Sequence, residues 1–524
     1  MTLVHKLVSR VAAIGASFYK KEFERFVMAC ENPTKEQDRV LMGIVEDNRR
    51  SDFGKKHDFK GVRNAEDFQT SVPLGDYDSH YPWIEKEIMG ISDQLTSLPI
   101  ERFATTSGTT SACKFIPITS RYVSDYKKAT ALWSLGALLN HPKIAGRVLT
   151  IASSMNEGVT EGGIPYGAVS GLMQKKQIAV AKILGVAGPE ISSIKDIGEK
   201  NYAIARVALE EDLTHIHTAN PLTILNIMRT IDSHAGNLIG EVYDGVSIMG
   251  KRKPNKNKAR ELEKMLSAGN FSPENYWPNL ALVGCWTGGT QYLFLEQLRK
   301  YFPKTPFRDI GLLASEGRMT IPLKDETPSG VLDISRSFFE FIPEKQMESD
   351  CPNVLKAGDL EVNKNYFIIL TTGSGLYRYN MGDLVRVTGF FRNTPEVAFL
   401  GKGAHVSNVT GEKLTEHQVI GSYKSVRKSR MPDKFILFPR VDDGNARYVI
   451  ASSFGFDSED LGALDNSLRA SNIEYDSRRK AGKLGPLECI KMREEDFEEV
   501  SKRRLIPGKE AQFKHRYIGN LNML

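Results

Sequence analysis

Cysteine is scarce: the chain of 524 residues has five, Cys30, Cys113, Cys285, Cys351 and Cys489. They are scattered and show neither a CxxC nor a Cys/His ligand spacing. An odd, sparse set argues against a disulfide framework and fits a reducing, cytoplasmic setting. Long apolar runs are missing as well. No stretch reaches the about 18 residues a membrane-spanning helix needs, so no membrane insertion is expected. Charge of one sign is not in excess, with 70 Lys and Arg against 64 Asp and Glu and a net charge of +6. That balance builds no broad positive field, so nucleic acid is not an expected partner. There is no internal repeat and no low-complexity tract. The first 26 residues carry Leu3, Leu7, Val8, Val11 and Ile14 at helical spacing, interrupted by charges and followed by no small-residue cleavage site. They read as an amphipathic helix packed on the body, not as a signal peptide or anchor.

What is present is the composition of a water-soluble globular protein, 41% hydrophobic and 26% charged. The length implies two or three domains. Helical and strand patterns alternate for most of the chain, which argues an α/β architecture. Short apolar runs bounded by Gly, Pro or polar residues predict buried strands at 148–151, 280–284, 310–314, 338–342 and 366–370. Helices are predicted at 121–139, 172–184, 221–232, 291–301 and 415–426, with Pro221 at a first helical position and Asn220 as a possible cap. Composition breaks at residues 401–413, GKGAHVSNVTGEK. Beyond it the pattern is strand 434–439, strand 447–452, helix 460–470, strand 487–491 and helix 494–504. The expected organisation is a body of residues 1–408 and a small domain of residues 409–524.

Four segments carry candidate chemistry. Residues 105–117, TTSGTTSACKFIP, surround Gly108 with hydroxyls and add Lys114. Such a loop can turn successive N–H groups and hydroxyls toward a phosphate, although the spacing is not that of a Walker A loop and a Thr/Ser-rich turn is often only a turn. Residues 310–322, IGLLASEGRMTIP, place Ser315 and Glu316 after an apolar run, where a carboxylate can hold Mg²⁺ beside phosphate oxygens or be a solvated loop residue. In residues 377–383, YRYNMGD, Asp383 can accept from two ribose hydroxyls or serve as a turn residue. Near the C-terminus, QFKHR includes Lys514, either a surface lysine or a cation reaching a departing pyrophosphate. Three features are set aside. His215 and His217 have no third ligand at useful spacing, so packing is favoured over a metal pair. Cys113 has no base nearby to activate it. The basic run at 251–258, KRKPNKNK, reads as a solvated loop, with an anion-binding patch as the alternative.

In this order the segments resemble the GH3 family of acyl-acid amido synthetases, within the adenylate-forming superfamily that includes acyl-CoA synthetases and luciferases. The resemblance runs through residues 47–59 (DNRRSDFGKKHDF), 68–77 (FQTSVPLGDY), 103–117, 285–289 (CWTGG), 313–317 (LASEG), 337–343 (SFFEFIP), 377–387 (YRYNMGDLVRV), 411–416 (GEKLTE) and 514–516. It covers most of the chain. It implies a large N-terminal α/β adenylation body with a β-barrel-like part, and a small mobile C-terminal α/β domain. It implies ATP and Mg²⁺ as cofactors, a small carboxylic acid and an amine or amino acid as substrates, and a monomer or weak dimer. By position, Ser107, Gly108, Thr109 and Thr110 match the phosphate loop, with Lys114 beside them. Ser315 and Glu316 match the nucleotide and Mg²⁺ motif, and Asp383 the ribose-binding aspartate. Trp286, Gly288 and Gly289 match the segment lining the adenine and acyl side. Lys413 matches a hinge lysine near the phosphates, and Lys514 the C-terminal lysine of adenylation. Residues 119–139 and 155–173, including Tyr166 and Met173, are expected at the acyl pocket. The chain departs from the family pattern at Ser111, Cys113, Leu312, Lys402, His405 and His515. Leu312 stands where an aromatic often stacks on adenine, and Lys402 keeps a charge where the superfamily favours the bidentate fork of arginine. The expected reaction forms an acyl-AMP and transfers the acyl group to the amine. A thiol acceptor such as coenzyme A, or a nucleotide-binding homologue with impaired catalysis, are the alternatives.

Overall fold

The computed structural model describes residues 20–106, 114–177, 179–347, 349, 351–403, 406, 407, 409, 412, 414–426, 434–442, 445–504 and 516–519. The N-terminal helix expected over residues 1–26 lies mostly outside them, and residues 20–29 are helical.

Three sheets build the large body. Strands Arg147–Thr150, Leu213–His217, Leu282–Gly284 and Phe307–Arg308 form a wholly parallel sheet in that order. Each crossover is helical, as parallel pairing requires, and includes Ile197–Glu210, Pro221–Ser233 and Tyr292–Tyr301. Asn220 does cap Pro221–Ser233, accepting from Leu222 N at 2.9 Å. A second sheet orders Lys114–Thr119, Ile100–Thr106, Pro165–Gly167 and Gly158–Val159. In the place of the barrel-like part is a seven-stranded antiparallel sheet. Its order is Thr320–Ile321, Ser329–Leu332, Thr394–Lys402, Tyr379–Phe391, Asn365–Thr371, Phe338–Pro343 and Leu355–Lys356. The largest core cluster joins this sheet to the N-terminal helices and to the long helix Ser120–Asn140. A second core lies between the parallel sheet and its helices.

From residue 414 onward the buried residues cluster among themselves. Here Phe435–Asp442 and Asn445–Ser452 pair antiparallel, Glu488–Lys491 adds parallel to the latter, and Glu416–Val426, Ser458–Ser471 and Ile473–Lys480 pack with them. Among the described residues no helix is long and apolar enough to cross a membrane.

Two predicted elements differ. The strand expected at 310–314 is only Leu313–Ala314, half of a tight hairpin. Its upstream part is taken by loop bonds, because the Asp309 carboxylate accepts from Gly311 N at 2.6 Å and Trp286 Nε1 donates to Gly311 O at 3.0 Å. The helix expected at 172–184 is two, Val169–Lys175 and Ala179–Leu184. Buried Gln174 explains the break: it donates to Ala187 O and accepts from Ser192 Oγ, both at 3.0 Å, which ties the first helix to the chain beyond the second.

Candidate active site

Glu316 sits in a two-residue turn. The strands Leu313–Ala314 and Gly317–Arg318 pair with Ala314 opposite Gly317, so Ser315 and Glu316 form the whole connection. Side chains from outside fix it. Tyr122, near the start of the helix Ser120–Asn140, donates from its hydroxyl to Ser315 O at 3.0 Å. Arg318 reaches back to Ile310 O at 2.5 Å, and Leu312 N donates to Thr320 Oγ1 at 2.8 Å. Glu316 is 7% exposed. Burial pushes its pKa up; the charges of Lys402 and Lys114 work against that, and Asp383 adds to it.

Asp383 and Lys402 come together through strand register. They are direct partners in the antiparallel pair Tyr379–Phe391 and Thr394–Lys402. Gly382, with φ +75°, takes the backbone twist immediately before Asp383 and receives Gly403 N on its carbonyl at 2.8 Å. Lys402 Nζ lies 3.1 Å from Asp383 Oδ1 and donates to Met381 O at 3.0 Å. That ion pair occupies one face of Oδ1, which is buried, and the ionised carboxylate keeps further acceptor sites. Asp383 raises the Lys402 pKa against burial, and Glu316 adds to the rise, so the ammonium form is favoured.

Lys114 enters from a third element. It opens the strand Lys114–Thr119, pairs with Thr106, and places Nζ 5.0 Å over the ring of Tyr77. The Tyr77 hydroxyl accepts from Phe115 N at 2.9 Å. The pairing of Thr106 with Lys114 holds the two ends of the loop 107–113 side by side. Ser107, Gly108, Thr109, Thr110, Ser111 and Cys113 themselves lie outside the described residues, as do His405, Lys413, Lys514 and His515. The flanks of the last two lysines are described and adjacent: Glu416 Oε1 accepts from Tyr517 N at 2.6 Å.

The segment of Trp286, Gly288 and Gly289 is organised by Asp309. Its Oδ2 accepts from Thr287 N at 2.6 Å and Thr287 Oγ1 at 2.9 Å, while Trp286 Nε1 bonds Gly311 O on the chain leading to the Glu316 turn. The glycines are packing positions. A Cβ at Gly288 would lie 3.0 Å from Pro328 Cβ, and one at Gly289 would lie 3.1 Å from the Phe399 ring. That contact seats the segment on the strand carrying Lys402. Tyr166 lies on the sheet that carries Lys114. Tyr166 pairs with Phe103 and meets Phe115 edge-on at 5.2 Å, and Met173 packs partly buried on the same core. His215 and His217 pack on Trp133, with ring centroids at 5.7 and 4.9 Å, and burial lowers both pKa values.

The structure therefore brings Glu316, Asp383, Lys402 and Lys114 into one electrostatic cluster, with Trp286 linked through residue 311. The sequence assigned no role to Tyr122 or Asp309, and none to Tyr379 or Arg378 beyond their presence in the 377–383 motif. Tyr379 lies on the strand of Asp383, with a register shift and Gly382 between the two. It is buried, and its pKa is pushed up by burial first and then by Glu316, Tyr77 and Asp383.

Comparisons with known proteins give the family of the chain. Residues 22–307 match the GH3 family N-terminal domain, residues 330–402 the GH3 family central domain and residues 412–521 the GH3 family C-terminal domain. The chain belongs to the GH3 family. It is similar to jasmonoyl–L-amino acid synthetase GH3.5 of Oryza sativa subsp. japonica, with 23% identity over 94% of each chain. It is similar to indole-3-acetic acid-amido synthetase GH3.2 of Arabidopsis thaliana, with 24% identity over 74% of this chain and 77% of the relative. Among solved structures, the AtGH3.15 acyl acid amido synthetase in complex with 2,4-DB superposes with a TM-score of 0.84 at 19% identity, covering 96% of this chain and 95% of that one.

Proposed function

We propose that this chain is an ATP-dependent acyl-acid amido synthetase. A carboxylic acid attacks the α-phosphorus of ATP, pyrophosphate leaves, and an amino acid amine then attacks the acyl carbon of the acyl-AMP, releasing AMP. The observation that carries this reading is the buried cluster of Glu316, Asp383, Lys402 and Lys114, within a chain whose family domains run from residue 22 to residue 521. The Asp383 carboxylate, buried beside the Lys402 ammonium, accepts from the ribose hydroxyls through its remaining lone pairs. Lys114 and Lys402 offset phosphate charge, and Ser107, Gly108, Thr109 and Thr110 cradle it by backbone N–H and hydroxyl donors. Ser315 gives its carbonyl to Tyr122 and so fixes the carboxylate that follows it.

Glu316 suits a divalent cation such as Mg²⁺, which takes one or two carboxylates and completes its shell with phosphate oxygens and water. A cation held there would neutralise charge on the phosphates. Trp286, Gly288 and Gly289 form the wall beside the base, and Tyr166 and Met173 belong to the acyl side. The boundary between body and small domain lies near residue 409, and rotation there carries Lys413 and Lys514 to and from the phosphates. The acid is of the apolar, ring-bearing kind named in the relatives, and the enzyme works in the cytoplasm as a monomer or weak dimer.

Acid-dependent exchange of pyrophosphate into ATP tests the reading, run over aryl, indolyl and aliphatic acids and followed by trapping with amino acids or coenzyme A. The expected result is exchange with a subset of the acids and trapping by an amino acid. Asp383→Ala is expected to raise the KM for ATP, and Glu316→Gln to raise the Mg²⁺ concentration needed for half-maximal exchange. Exchange that both substitutions leave untouched, or no exchange with any acid, overturns it.

A further inference from the structure

The basic run at 251–258 belongs to a surface that the proposed reaction does not use. It joins the helices Ala235–Asp244 and Lys256–Ser267, whose inner faces (Leu238, Ile239, Val242, Ala259 and Leu262) are buried in the core of the parallel sheet. Neither helix carries any residue of the nucleotide cluster.

The connection is a built loop. Gly245 N and Val246 N both donate to Glu241 O at 3.0 Å, Arg252 N closes back to Gly245 O at 2.7 Å, and Asn255 N donates to Val242 O at 3.0 Å. Gly245 has φ +71°, and a Cβ there would lie 2.6 Å from Arg252 O, so the neck of the loop is tight. Beyond the neck the tip is apolar and exposed: Val246 at 41%, Ile248 at 47% and Met249 at 45%, with Tyr243 at 37% just before it. A Cβ built at Gly250 would meet nothing within 4 Å, so the tip has open space around it.

Charge surrounds this tip. From residue 244 to residue 260 there are six bases (Lys251, Arg252, Lys253, Lys256, Lys258 and Arg260) and one acid, Asp244. Arg252 pairs with Glu210 at 3.2 Å, and Lys258 donates to Tyr276 O at 3.1 Å. Lys251, Lys253 and Lys256 have no carboxylate partner among the described residues, and Lys256 Nζ stands 5.1 Å over the Tyr243 ring, beside the apolar tip.

We infer that this loop is a peripheral docking surface for an anionic lipid bilayer. An isolated apolar patch in contact with water marks an interaction site. A projecting tip of Val246, Ile248 and Met249 fits the boundary between headgroups and acyl chains, and the lysines at its neck fit anionic headgroups. A bilayer uses both features at once, the apolar tip among the acyl chains and the lysines among the headgroups, and an acidic protein held by the lysines alone is an outcome that the test below separates. Docking here uses none of the residues of the nucleotide cluster, and the inference holds whichever acid the enzyme activates.

The test is co-sedimentation of the full chain with vesicles of phosphatidylcholine alone or of phosphatidylcholine mixed with phosphatidylserine, at low and high salt. Association is expected with the mixed vesicles only, and high salt is expected to weaken it. Lys251→Glu with Lys253→Glu is expected to lower partitioning more than about twentyfold, since each base near an anionic surface is worth about fivefold. Ile248→Ser with Met249→Ser is expected to lower it about tenfold. Both pairs are exposed, so the thermal unfolding midpoint and the exchange activity should stay at the parent values, which reports an intact fold. Equal association with both vesicle types, or none, overturns the inference. So does loss of binding in the lysine variant with no effect of the serine variant, which would mark a charge-only patch for an acidic protein.

Discussion

Glu340→Gln isolates the cost of one buried charge in the loop that leads to Asp383. Arg378 has a left-handed backbone, with φ +47°, and sends its guanidinium inward. Its Nε lies 3.1 Å from each oxygen of Glu340, and its Nη1 donates to Gln69 O at 2.9 Å and to Val72 O at 2.8 Å. Gln69 Nε2 donates to Glu340 Oε1 at 2.9 Å. The side chains of Arg378 and Glu340 are 7% and 1% exposed. The substitution keeps the shape and removes the counter-charge, leaving a guanidinium without water or an anion. Breaking a buried pair in this way costs about 3–5 kcal/mol, against a whole-domain stability of about 5–15 kcal/mol. Replacing both partners, as Arg378→Met with Glu340→Leu, removes the stranded charge. What then remains is the loss of donors to Gln69 O and Val72 O, about 1 kcal/mol each, and of the acceptor for Gln69 Nε2, whose half-buried side chain can turn to water. The double variant is therefore expected to be more stable than Glu340→Gln. Urea unfolding followed by tryptophan fluorescence measures this, since Trp83, Trp133, Trp277 and Trp286 all lie in the body that contains the pair. A loss below about 1 kcal/mol in Glu340→Gln, or a double variant as unstable as the two single variants summed, refutes the reasoning.

Two further outcomes follow from the same coordinates. Leu312 is a partly buried aliphatic where the family often has an aromatic, and its backbone is already fixed by Thr320. Leu312→Tyr offers the base a face to stack on, an interaction worth about 1–3 kcal/mol. The KM for ATP in exchange is expected to fall about fivefold or more with kcat unchanged, and an unaltered KM counts against adenine lying there. His217 has its pKa lowered to about 4, by burial first and then by Arg318. Above the unfolded value of about 6.5 both states are neutral and its contribution to stability is full. As the pH falls from there toward 4, the unfolded chain binds the proton and the folded one does not, so up to about 3 kcal/mol is lost. The ring keeps some exposure, which trims that figure. Glu87, raised to about 8, and Asp125, raised to about 6, act with the opposite sign, losing stability as the pH rises. The measurement is thus the difference in urea midpoint between the parent and His217→Gln, which should shrink steadily between pH 6.5 and 4; a constant difference refutes the assignment.

Sequence made local matters legible. Caps, first-turn prolines and apolar runs located most of the helices and strands that the sequence named within a few residues, and the small C-terminal unit could be read strand by strand, while helices such as Pro33–Asn48 and Ile197–Glu210 were not named at all. It missed the helix Ile473–Lys480, although Asn472 caps it through Tyr475 N at 2.9 Å, because that helix carries a single buried side chain and no apolar stripe. Motif spacing supplied residue types for the site but not their meeting. Asp383 and Lys402 meet only because a hairpin register sets them opposite each other. Tyr122 reaches Ser315 across 193 positions, and Arg378 reaches Val72 across 306. No periodicity within a window carries such pairs. Arg378 was read as part of a nucleotide motif, yet it clamps the N-terminal helices to the antiparallel sheet.

The departure at residue 402 follows from this geometry. An arginine opposite Asp383 would present a planar fork and engage the carboxylate bidentately. Lysine has one ammonium, and here it is shared between Met381 O and the neighbourhood of Oδ1. The aspartate is held in place by charge, and its carboxylate keeps acceptor sites beyond the one facing the ammonium. Among the described residues of the cluster, two carboxylates face two ammoniums, so the charges are close to balanced before any nucleotide enters. Burial raises the pKa of Glu316, and the charges of Lys402 and Lys114 oppose that rise. Under the proposed function a metal–triphosphate would bring both signs at once: its cation would favour the ionised Glu316, and its phosphates would favour Lys114 and Lys402 as ammoniums. The cluster would then gain more from the two together than from either alone.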